Sequence, residues 1–139
     1  MTACLFAANV WAGPHTPTPG SDERKAICDG LRAHFVPLSM KPLPQPILFK
    51  VAHMKVEGNY AAFEGMPVFK DGKSACDGYM PDMDYSALLK RVANGWKVIV
   101  DLSRSDVPSP EELKAIRAKL PADFPAGVLT DFWRGRLKP

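Results

Sequence analysis

Three groups of side chains in this 139-residue chain have the types that do chemistry. Cys28 and Cys76 remain as an even pair once Cys4 is set aside within the apolar start of the chain. An even pair in an exported domain reads as a structural disulfide. Closing a loop of that length contributes about 4 kcal/mol on the chain-entropy estimate. The competing use is a nucleophilic Cys assisted by a His, but no motif places His34 or His53 beside either cysteine. Met80 and Met83, at M-x-x-M spacing, with His53 form the second group. Thioethers with imidazole suit Cu(I), whereas methionines also fill irregular gaps in cores. Asp82 and Asp84 form the third. Two positions apart on a strand they share a face and could act as an acid–base pair, while on a loop they are only solvated. The same stretch starts like a calcium loop, but Ala87 occupies the position that needs Gly and no Glu stands at the twelfth position, which excludes it.

The compartment follows from the first dozen residues. Met1 to Ala12 carry no charged side chain, are mostly apolar, and end in Val10-Trp11-Ala12 before Gly13, a small-x-small pattern suited to signal peptidase. We read 1–12 as the remnant of an export signal whose basic start lies upstream. The alternative is acylation at Cys4, against which Leu5-Phe6-Ala7-Ala8 supplies no polar tether. The expected location is periplasmic or secreted, where disulfides persist. No other stretch is long and apolar enough for an integral membrane segment.

Composition sets further bounds. With 46% hydrophobic and 24% charged residues the chain is of ordinary globular make-up, and its length suits one domain. The net charge of +3 is spread among acidic residues, so nucleic acid is not the expected partner. The local excess at Arg134, Arg136 and Lys138 reads as a solvated tail.

The elements that must position these side chains can be read in order. Residues 13–20, Gly-Pro-His-Thr-Pro-Thr-Pro-Gly, read as a flexible leader, and 21–139 as a single α+β domain. Ser21 caps a helix with Asp22 and Glu23 in its first turn and Ile27, Leu31 and Phe35 on one stripe, ending near Pro37. Four prolines between 37 and 46 force an extended connection. Strands follow over Ile47 to Val56 and from Tyr60 to near Phe69, with a turn at Glu57-Gly58-Asn59. Asn94-Gly95 suits a type I′ turn, which would pair Ala93 with Trp96, Leu89 with Val100 and Ala87 with Leu102. One half-buried face would then carry Ala87, Leu89, Trp96, Val98, Val100 and Leu102. Ser109-Pro-Glu-Glu112 is a capping box that starts a helix at Pro110, stopped by Pro121. Val128, Leu129, Phe132 and Trp133 have the spacing of a last helical turn or two packed on the sheet.

Helix, two hairpins and helix describe an N-terminal helix on a curled four-stranded antiparallel sheet. The segments Arg24 to Arg32, Phe49 to Ala61, Gly65-Met-Pro67 and Ala87 to Val98 resemble small exported bacterial proteins of the cystatin-like and NTF2-like group. Tyr60 stands where such relatives would be expected to carry Trp. The resemblance implies fold and compartment and brings no catalytic set or cofactor. In this architecture His53, Tyr60, Tyr85 and Trp96 are the candidates to line a pocket between helix and sheet. The expected function is therefore binding rather than catalysis, with an unidentified protein or a small apolar ligand as partner, by a monomer or homodimer. A small enzyme with a pocket in the sheet cone and a copper carrier using Met80, Met83 and His53 are the alternatives.

Overall fold

The computed structural model describes residues 13–137. The proposed export segment, including Cys4, and the last two residues lie outside them. Helix α1 (Asp22–Phe35) starts where the Ser21 hydroxyl accepts a hydrogen bond from the backbone N–H of Arg24 at 3.2 Å. Its stripe of Ile27, Leu31 and Phe35 is wholly buried. Gly30 on the same helix is buried because no side chain fits there. A Cβ at this position would stand 2.5 Å from the Trp96 carbonyl oxygen, so the missing side chain sets how closely α1 lies on the sheet.

Strands β1 (Leu48–Glu57), β2 (Tyr60–Val68), β3 (Tyr85–Val92) and β4 (Gly95–Asp101) form one antiparallel sheet in the order β1-β2-β3-β4. The architecture is thus α+β, with the N-terminal helix, the four-stranded antiparallel sheet and C-terminal helices that the residue pattern implies. The first hairpin turns at Gly58, which takes a φ of +60°.

The second hairpin departs from expectation. Val92 pairs with Gly95, so Ala93 and Asn94 form the turn, and no non-glycine among the described residues takes a positive φ. Gly95 itself carries a φ of +144°. Leu89 pairs with Val98 but Leu88 with Val100, leaving Ile99 as an extra residue in β4. This bulge moves every later β4 residue to the opposite face. Ala87, Leu89 and Trp96 pack with α1, whereas Leu88, Val100 and Leu102 pack on the far side. The expected half-buried hairpin is instead covered on both faces.

That second cover is the C-terminal third. Helix α2 (Pro110–Lys119) begins with the expected capping box: the Ser109 hydroxyl accepts from the Glu112 N–H at 3.2 Å and the Glu112 carboxylate accepts from the Ser109 N–H at 3.1 Å. A short 3-10 turn (Ala126–Val128) and helix α3 (Asp131–Arg136) follow. Ile116, Val128, Leu129, Trp133 and Leu137 bury the outer face of the sheet. Arg134 and Arg136 are not a loose tail. Arg134 bonds Asp131 and the Leu129 carbonyl, each at 2.7 Å, and Arg136 bonds the Phe132 carbonyl at 2.9 Å.

The leader is likewise engaged. His15 and Val56 exchange two backbone hydrogen bonds, 2.9 and 2.8 Å, on the outer edge of β1, Pro17 is buried, and the His15 ring lies 2.7 Å from Glu23. A stretch rich in Pro can bury little by itself, but here it covers part of an otherwise open strand edge.

Candidate functional site

Cys28 and Cys76 are free thiols, and the expected bridge is not formed. Each is held by different neighbours. Cys28 sits on α1 against the inner core, where burial pushes its thiol up against the opposing pull of Arg32 and Arg24. Cys76 lies in the loop from β2 to β3, and its Sγ–H donates to the Pro81 carbonyl at 3.3 Å. The Tyr85 hydroxyl donates to the same carbonyl at 2.6 Å. Burial raises the Cys76 thiol, and burial followed by the Cys76 charge drives the Tyr85 phenol far above its usual range. Neutral thiols are poor nucleophiles, so this arrangement organises a loop and does not prepare an attack.

The Met/His group is not brought together. Met80 is fully buried in the inner core and Met83 packs against that core. The His53 ring lies on the opposite face, where Nε2–H donates to the Val128 carbonyl at 2.7 Å. The four pocket candidates also scatter. Trp96 is buried against α1 with the Arg91 guanidinium 4.5 Å from its ring centre, and Tyr85 packs edge-on against Phe35 in the inner core. Tyr60 faces outward, its ring tilted against that of Phe124, and donates to Asp123 at 2.7 Å, a bond that raises its phenol. Asp82 and Asp84 are exposed, on the segment leading into β3.

The space between α1 and the sheet is filled by Ile27, Leu31, Phe35, Phe63, Leu89 and Trp96. The concavity lies on the other face. A cleft of about 730 Å³ is bounded by β1 at Lys50 to Ala52, β2 at Glu64 to Met66, the start of β3 at Asp84 to Ser86, residues 104–107, and Phe132 and Trp133 of α3. Its apolar surface comes from Met66, Leu102, Val107, Phe132 and Trp133, of which Val107 and Phe132 are the more exposed.

Its polar groups are placed by sheet register. His53 pairs with Glu64, and Glu64 with Ser86, giving a His–Glu–Ser row across β1, β2 and β3. The row has the residues of a hydrolytic triad in an order that cannot work. A nucleophile needs the base beside it, yet Ser86 and His53 are two strands apart, roughly 9–10 Å, with Glu64 between. Glu64 instead accepts from the Thr130 hydroxyl at 3.2 Å, and that hydroxyl also caps α3 by accepting from the Trp133 N–H. One threonine therefore fixes both the carboxylate and the helix that closes the cleft. At the far wall Asp84 and Arg104 exchange backbone hydrogen bonds of 2.8 and 3.0 Å, and the Arg104 guanidinium pairs with Glu112 at 2.6 Å and Asp106 at 3.3 Å. Among the described residues no three His, Cys, Asp or Glu side chains are grouped to hold a metal ion.

Only Tyr85 of the four pocket candidates borders the cleft. Glu64, Ser86, Arg104, Phe132 and Trp133 were not singled out as binding residues from the sequence. The usable signal was the outward parity of Glu64 within an otherwise apolar strand. Compared with protein-family models, curated proteins and solved structures, the chain matches none.

Proposed function

We propose that this chain is an exported, non-catalytic binding protein of cystatin-like or NTF2-like type, and that it holds a small, largely apolar ligand in the outer cleft. The observation that carries the reading is the cleft itself: about 730 Å³, apolar in most of its lining and edged by a few fixed polar groups. Ligand sites commonly occupy 300–1,000 Å³ with this balance of surface. The filled helix–sheet interface moves the binding surface away from the place expected in a cone-shaped sheet. The order of one helix followed by a four-strand meander supports the fold-group assignment. The apolar run ending at Ala12 supports export.

Titration with a neutral polarity-sensitive dye such as Nile red tests the cleft. The expected result is one-to-one binding that weakens at least fivefold in Phe132→Ala and Val107→Asp, both exposed positions whose substitution leaves the cores intact. Equal binding by the variants would remove the cleft from the reading. Export is tested by the intact mass of protein recovered from its own cells: a chain beginning at Gly13 supports it, and one retaining residues 1–12 counts against it.

A further inference from the structure

We infer that the ligand of the outer cleft is an amphipathic organic cation, a primary ammonium carried on an apolar body. The inference rests on the binding role proposed for the cleft and adds the chemistry of its occupant. The first observation is charge. The cleft holds Glu64, Asp84 and Asp106 against Lys50 and Arg104. Arg104 is already engaged by Glu112 and Asp106, and Lys50, exposed on β1, is the remaining cation, set against the two carboxylates Glu64 and Asp84. Among the described residues Glu64 and Asp84 have no cation within ion-pair distance. The Thr130 bond to Glu64 is neutral, so it orients the carboxylate and leaves the negative charge in place.

The second observation is Ser86. It is only 6% exposed, borders the cleft and pairs with Glu64 across the sheet. Its backbone N–H and C=O are both satisfied by the Ser103 hydroxyl, whereas its own hydroxyl has no protein partner among the described residues. No buried side-chain oxygen there is sealed from solvent without a partner, so the free Ser86 hydroxyl opens into the cleft.

Register fixes the triangle these groups form. Directly paired positions hold Cβ atoms about 4.5–5.5 Å apart, and positions two along a strand on one face are roughly 6.5–7 Å apart. Ser86 thus stands directly beside Glu64, and Asp84 lies two positions before Ser86 on the same face, so the two carboxylates and the hydroxyl border one stretch of the cleft. An ammonium has three N–H donors and no acceptor, which fits two carboxylates and a hydroxyl. A carboxylate or phosphate would meet repulsion from the same pair. Phe132, Trp133, Met66 and Val107 then take the apolar body.

Three eight-carbon probes below their aggregation concentrations test this: octylammonium, octan-1-ol and octanoate, titrated calorimetrically at low ionic strength into the full chain. The expected order is octylammonium at least tenfold tighter than octan-1-ol, with octanoate weakest. Glu64→Gln, which can still accept from Thr130, should lower octylammonium affinity about tenfold and leave octan-1-ol unchanged. Should that variant fail to fold, Asp84→Asn, at an exposed carboxylate, is expected to show a loss of about threefold or more. Equal binding of all three probes, or tighter octanoate, would overturn the cation inference while sparing the apolar cleft. Binding of none would overturn both.

Discussion

Replacing Gly30 with Ala should destabilise the protein, although helix propensity alone predicts the reverse. Gly to Ala inside a helix is worth about 1 kcal/mol in favour of Ala. Here the new Cβ would lie 2.5 Å from the Trp96 carbonyl oxygen and 3.0 Å from its carbon. Those are backbone atoms of β4 and cannot rotate aside, so α1 must lift or the strand must bend. Overpacking of this kind costs about 1–3 kcal/mol, and a backbone obstacle at such a distance belongs at the upper end. The net loss is then about 2 kcal/mol. With an unfolding entropy of about 2.1 cal/mol/K per residue, the roughly 125 described residues give about 0.26 kcal/mol/K, so Tm should fall by about 7–8 °C. Gly135→Ala is the matched control, in a helix with nothing within 4 Å of the new Cβ, and should raise Tm by about 2–4 °C. Thermal unfolding of the two variants beside the parent gives opposite signs if α1 lies on β4 as described. A rise in Tm for Gly30→Ala would refute the close approach.

Ser109→Ala should lose about 1 kcal/mol from the α2 cap, read as a lower denaturation midpoint in urea. The Glu112 carboxyl is held below its usual range, first by the Ser109 N–H and then by Arg104. A depressed folded pKa supplies stability above the unfolded value and loses it as pH falls through the folded value, so Glu112→Gln should flatten the decline of Tm below about pH 4.5. The raised Tyr85 phenol works in the other direction: its contribution is complete below the ordinary tyrosine value and is lost as pH climbs past about 10. Absorbance at 295 nm should therefore show one tyrosine ionising only with unfolding, and Tyr85→Phe should remove that step. Mass-spectrometric alkylation mapping at pH 8 should find Cys28 and Cys76 slower in native protein than in denaturant; native labelling as fast as in denaturant would count against their partial burial and raised thiols.

The parts of the fold that were legible in the residues are those governed by local rules. Ser21 and Ser109 mark their helices to the residue, because a cap is a contact between near neighbours. The β1–β2 hairpin is equally local. Asn94-Gly95 misled twice: the turn falls one residue earlier, on Ala93-Asn94, so the pairing is displaced from the start, and the extra residue Ile99 then shifts it again. The bulge is justified only by what waits on each side: Trp96 faces Gly30 of α1, while Val100 and Leu102 face Val128 and Trp133. Those partners are distant in the chain. The cleft was illegible for the same reason, since its walls come from five separated segments and its key carboxylate is oriented by a threonine 66 residues away. Cys28 and Cys76 were paired by counting, which carries no geometry, and the structure gives each thiol its own surroundings.

The sheet shared by two cores has a consequence for the chain as it leaves the ribosome. Once β4 has emerged, every buried residue of the inner core has been made, those of α1 and the strands together with Ile47, Phe69, Ala75 and Met80 from the connections between them. The outer side of the same strands, with Ala62, Leu88, Val100 and Leu102, has no cover until the residues up to Leu137 have been made. For that interval the nascent protein presents a water-facing apolar wall, the kind of surface that holdase chaperones bind and that drives precipitation when it is left bare. A chain stopped after Asp106 keeps α1, the sheet and the inner core, and it should be recovered in the insoluble fraction.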